Sequence, residues 1–208
     1  MPLKSSLRSL ETYGFTLLSA LVAYGYSFTR ANTYNQLPSI LALFDSNLLS
    51  QDYYIQEMTQ FTPRFYYYHL MLFFHQLGLS LPVVAFGLFA LAFGSMVLGL
   101  CAIGTYLGRS AFAGVALAFL ALAVDDSTLG KTDIFRVEPI AAIYAMGIAV
   151  WGIYFCCRRR WRLGYLMFGL ACLLQFLIGL LPAALWGVPF ALDALRQRRP
   201  LRLLSPLL

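Results

Sequence analysis

Charge is scarce in this chain, and the scarcity is the first constraint on what it can be. Only 12% of its 208 residues are charged, while 60% are hydrophobic. A soluble domain averages about 25% charged and about 45–50% apolar residues, so the composition excludes one. Asp and Glu together number nine, and there are two histidines. The chain also lacks a Gly-rich phosphate loop, a Walker motif and any arguable Ser-His-Asp set. His69 and His75 stand six residues apart, which puts them on different faces of a helix and excludes a zinc pair. Singly, either can ligate a haem or chlorophyll, or simply hydrogen-bond at an interface.

The cysteines number four, Cys101, Cys156, Cys157 and Cys172, and none lies in an acidic loop. Disulfides form on the oxidising side of a membrane, so four free thiols are expected. Cys156 and Cys157 abut Arg158, which allows acylation in a eukaryotic host or merely two small apolar residues at a helix end. There is no internal repeat and no low-complexity tract. Residues 1–208 read as a single transmembrane domain.

What is present is a series of apolar runs near bilayer length, roughly 20 residues. Six stand out: 12–28, 81–107, 110–124, 138–157, 163–181 and 182–195. The first follows Lys4 and Arg8 without a clear cleavage site and reads as a retained signal anchor. The last is short and contains Pro189, so it is expected to be kinked or partly spanning. The fold class expected is all-α, a polytopic membrane protein of about six transmembrane helices.

The charges orient it. With the N-terminus inside, eleven of the fifteen cations fall in inner loops, including Arg109, Arg158–Arg160, Arg162 and Arg196. Arg30, Arg64, Lys131 and Arg136 fall outside, together with seven of the nine acids. Cytoplasmic loops carry the excess of Lys and Arg, so both termini are expected in the cytoplasm. The same rule accounts for the net charge of +6 without a nucleic-acid partner. Residues 29–80 form a first outer loop and 125–137 a second. Within the first, Thr62 and Pro63 begin a Tyr-rich segment through Gly78, expected as a helix on the outer interface with its tyrosines toward the headgroups. A shorter helix is expected after Pro38, ended by the Asp45-Ser46-Asn47 turn. Gly94, Gly99 and Gly104, with Ala90 and Ser95, suit close helix packing.

Chemistry, if any, belongs to the outer loops, because the carboxylates are there. Asp52, Asp125, Asp126 and Glu138 are candidates for a general base or a metal ligand, and also plain solvating residues. Arg64 and Arg136 run against the charge bias. An Arg fork suits a lipid-linked phosphate, and pairing with Asp52 or Glu57 is the alternative for Arg64. No charged residue lies deep in a span, which disfavours a transporter, and Gln175 is the main polar exception.

An inner N-terminus, one span, a long acidic outer loop with interfacial helices and a second acidic outer loop resemble the GT-C superfamily of membrane glycosyltransferases. The runs Asn35-Gln36-Leu37-Pro38, Asp52-Tyr53-Tyr54, Phe61-Thr62-Pro63-Arg64 and Glu138-Pro139 are similar to bacterial, often cyanobacterial, proteins of that type. The resemblance covers roughly residues 10–195 and corresponds to the N-terminal half of such an enzyme. It implies transfer of a sugar from a polyprenyl-phosphate donor to an outer-side hydroxyl, with a divalent metal as an option. It also implies Asp52 as the first acid, one of Asp125, Asp126 or Glu138 as the second, and a bacterial inner or thylakoid membrane. The departure is length, since these enzymes have more spans and often an outer C-terminal domain. A non-catalytic scaffold subunit of a larger membrane complex, binding lipid or pigment, is the alternative.

Overall fold

The computed structural model describes residues 2–28, 31–45, 47–123 and 136–196. They form nine helices and, among the described residues, no strand: α1 (Pro2–Tyr24), α2 (Ala31–Phe44), α3 (Tyr53–Thr59), α4 (Phe65–Gln76), α5 (Leu81–Gly108), α6 (Ala111–Ala123), α7 (Ala141–Cys157), α8 (Trp161–Leu174) and α9 (Phe176–Arg196). The all-α expectation holds. By length and composition α5, with 28 residues, and α9, with 21, can cross a membrane. The apolar helices α6, α7 and α8 are shorter, with 13, 17 and 14 residues.

α5 is the central post. Ser80 is extended, Pro82 fits the first turn where its missing N–H costs nothing, and Arg109 ends the helix in the left-handed region at φ 52°. α1 runs antiparallel to α5: the Tyr13 hydroxyl meets that of Thr105 at 2.7 Å, and the Tyr24 ring meets Phe93 near the other end. α7 runs parallel to α5, because the Tyr144 hydroxyl donates to the Ala85 carbonyl at 3.3 Å, while further along Val150 lies against Gly99. At Gly147 the two backbones touch. A Cβ there would stand 2.7 Å from the Ala92 carbonyl oxygen, so only glycine permits the approach. Ser95 donates to the Gly147 carbonyl at 2.7 Å and accepts from the Trp151 indole at 2.9 Å. Gly94, by contrast, only touches the Leu17 side chain.

α6 folds back on α5 at Gly104 and Gly114, and α8 folds back on α7 where Gly164 meets Cys156. α9 then folds back on α8: the Tyr165 hydroxyl donates to the Ala183 carbonyl at 3.2 Å, and the Trp161 indole donates to Asp193 at 3.2 Å. This alternation gathers Arg109, Arg158–Arg162 and Arg196 at one end of the bundle. Arg136–Ile140, the start of α5 and Gln175 gather at the other.

Several boundaries differ from the sequence reading. The break between the fifth and sixth segments lies at Gln175, in extended backbone at φ −150° and ψ 105°, not at Pro182. Pro182 and Pro189 both sit inside α9. α9 is therefore full length, and α8 is the short member. α2 begins at Ala31 rather than after Pro38, which lies inside it. Proline removes the bond to the carbonyl four residues back, here that of the exposed Tyr34, which solvent can satisfy. The Asp45 turn is as expected, with the Asn47 N–H donating to the Asp45 carboxylate at 2.9 Å. α3 was not foreseen. α4, with 12 residues, is about 18 Å long, too short to cross. Its Tyr67 and Tyr68 are buried rather than turned to headgroups, and only Tyr66 is exposed. α4 lies against α2, α5 and α8, and that packing is what buries them.

Candidate functional site

The site is built where α2, the start of α4, the segment before α7 and the α8–α9 hairpin tip meet. Arg136–Ile140 is held from two sides. The Ser27 N–H donates to the Val137 carbonyl at 2.8 Å, and the Tyr67 hydroxyl donates to the Pro139 carbonyl at 3.2 Å. Burial, reinforced by Tyr68 and opposed by Arg64, pushes the Tyr67 phenol well above its ordinary range, so it remains a donor. Arg64 precedes α4, and its carbonyl accepts from the Tyr68 N–H at 3.1 Å. Pinned in this way, Arg64 and Arg136 line one cavity of about 380 Å³.

Gln36 and Gln175 complete its polar lining, while Ile140, Ala142, Met146, Leu177, Ile178 and Leu181 form its apolar walls. Leu177 is 56% exposed and Leu181 59%, so the lower rim opens sideways onto the apolar flank of the bundle. The Arg64 side chain makes no ion pair or hydrogen bond with any described residue, Asp52 and Glu57 included. The side-chain oxygens of Gln36 and Gln175 are buried without a donor. Among the described residues no carboxylate lines this cavity, and its two guanidinium groups suit an anion rather than a divalent cation. Among the described residues, no three His, Cys, Asp or Glu side chains converge as metal ligands.

The acidic candidates fall elsewhere. Asp52 is exposed and caps α3, accepting from the Ile55 N–H at 3.1 Å. It does not line the cavity. Glu138 is buried beside Pro139, also outside the lining. Asp125 and Asp126 lie outside the described residues. The histidines serve packing: His69 bonds the Phe65 carbonyl at 2.9 Å, and His75 stacks on Phe44 at 3.9 Å. All four cysteines are free, with Cys156 buried.

Gln36 and Gln175 were noted in the sequence, one in the Asn35–Pro38 run and the other as the polar exception of a span, but neither was assigned to the site. Their signal was an uncharged amide in apolar surroundings, such as Gln175 between Leu174 and Phe176. A polar group there needs a partner, and the described residues supply none.

A second cavity, of about 360 Å³, lies at the basic end around Trp161, Trp186 and Asp193. Asp193 is already engaged there by Arg159 at 3.3 Å and by Trp161. No protein-family model, curated protein or solved structure matches the chain.

Proposed function

We propose that this is an integral membrane protein with α1, α5, α6, α7, α8 and α9 embedded in the bilayer. It keeps its basic end in the cytoplasm and holds the phosphate of a polyprenyl-type lipid at its outer end. The attached sugar would then pass to an outer-side hydroxyl, as in the GT-C enzymes the sequence resembles. Support for membrane embedding comes from the flanks. Phe15 and Val22 on α1, Leu91 on α5, Phe112 on α6, and Leu185 and Val188 on α9 are each more than 60% exposed. An apolar surface of that kind is not left to water. Support for the orientation comes from the gathering of the basic turns at one end.

One observation carries the ligand: Arg64 and Arg136 line a single cavity whose walls below them are apolar and open sideways. That combination fits a phosphate with a hydrocarbon tail, the tail leaving between the helices into lipid. The part of base falls to Asp52 by the resemblance. Its capping bond uses one carboxylate oxygen and leaves the other open. The scaffold reading rests on a different observation: only 11% of the most apolar window of α9 is buried, which leaves a flank for a partner helix.

The test is lipid binding in nanodiscs, with undecaprenyl phosphate as probe. A hydrogen bond to a charged group contributes about 1.5–3 kcal/mol, so Arg64→Gln and Arg136→Gln should each weaken binding by roughly 10- to 100-fold. Affinities within threefold of the wild type for both variants would end the lipid-phosphate reading.

A further inference from the structure

Gln36 and Arg64 have two sides. Beyond them lies another cavity of about 540 Å³, walled by Tyr34, Asn35, Pro38, Tyr54 and Ile55 as well as by Gln36 and Arg64 themselves. The geometry points to this cavity as the binding site of a neutral saccharide, a second ligand beside the lipid phosphate. The inference rests on the lipid reading only for assigning the charge of Arg64 to phosphate.

The lining selects the chemistry. Tyr34 and Tyr54 are each 59% exposed, although a tyrosine ring is largely apolar. α2 carries one and α3 the other, so two rings stand open on one cavity. An aromatic face of this kind suits the C–H face of a sugar ring, as it suits any flat, partly apolar surface with a polar edge. Asn35 and Gln36 bring two carboxamides, each with donors and an acceptor, which match the paired donor and acceptor character of neighbouring hydroxyls. Gln36 is 5% exposed, and its side-chain oxygen has no donor. A hydroxyl satisfies that oxygen and an anion does not. Among the described residues no carboxylate lines the cavity, so none of them favours a cation. Asp52, which caps the helix carrying Tyr54 and Ile55, stands within one turn of both.

The test uses the full chain in nanodiscs, purified without glycoside detergents, on a printed array of neutral and acidic mono- to hexasaccharides. A neutral saccharide should be retained. Tyr54→Ala and Asn35→Ala should each lower that retention at least tenfold, and since Tyr54 is exposed its loss leaves the fold intact. Arg136→Gln, at a residue of the lipid cavity that does not line this one, should leave saccharide retention unchanged while weakening undecaprenyl phosphate. Retention of acidic glycans alone, retention of none, or equal retention by Tyr54→Ala overturns the saccharide site. If Arg64→Gln and Arg136→Gln both keep full lipid affinity while the wild type retains neutral saccharide, the lipid reading fails and the saccharide site stands.

Discussion

Asp52 has two possible duties, and a pair of substitutions separates them. Its carboxylate accepts from the Ile55 N–H at 3.1 Å and so closes the first turn of a helix of only seven residues. Replacing an N-cap Asp with Ala costs about 1 kcal/mol, within about 0.5–2, whereas Asn caps as well as Asp. With RT near 0.6 kcal/mol, Asp52→Ala should open the first turn of α3 about fivefold more often. Asp52→Asn loses only the attraction between the charge and the helix N-terminus, about 0.3 kcal/mol at an exposed position, or less than twofold. Hydrogen exchange read by mass spectrometry on peptides spanning 52–60 measures both. The Gln56 N–H, bonded to the Asp52 main-chain oxygen at 3.0 Å, closes that same turn and reports its opening. If the carboxylate is also a general base, Asp52→Asn should lower sugar transfer by about 10²- to 10⁴-fold at unchanged exchange. Equal acceleration of exchange in Asp52→Asn and Asp52→Ala would refute the capping argument. Full transfer by Asp52→Asn would refute the base.

Two further outcomes follow from the fold. Gly147→Val puts side-chain atoms against the Ala92 backbone, which cannot swing aside, and should cost about 1–3 kcal/mol and lower the thermal midpoint by about 5 °C. Gly169→Ala, whose added Cβ meets nothing within 4 Å, is the control that should not move it. In a cysteine-free background, an impermeant thiol reagent added outside should label Phe61→Cys and spare Arg158→Cys, and labelling of the latter alone would invert the orientation.

The parts legible in the sequence are those fixed by local chemistry. The 81–107 segment and α5 agree to within a residue, because Ser80, Pro82 and a long unbroken apolar run act together. Arg64 and Arg136 were singled out because cations on the acidic side need a reason, and they do share a cavity. The α8–α9 break was misplaced because Pro182 looks like a breaker. Proline is tolerated inside an apolar helix when neighbours satisfy the freed carbonyl, whereas a turn at Gln175 has no such local mark. Tyr67 was read as an interfacial residue because its partner, the Pro139 carbonyl, lies 72 residues away in sequence. The two glutamines were left out of the site for a related reason. Their orphaned oxygens are visible only once the walls of the cavity have been assembled.

The one-residue hairpin at Gln175 has a consequence for the bilayer itself. α8 has 14 residues, so its tip stands about 21 Å from the basic end, about 9 Å short of the far side of a hydrocarbon core about 30 Å thick. In the membrane reading, the floor of the cavity then sits at a depth where acyl chains would ordinarily be. Lipids beside the hairpin must tilt or thin to bring their headgroups down to that polar notch, at a cost that grows with each ångström of thickness. Occupancy of the notch would therefore depend on the thickness of the host membrane as well as on the concentration of the ligand.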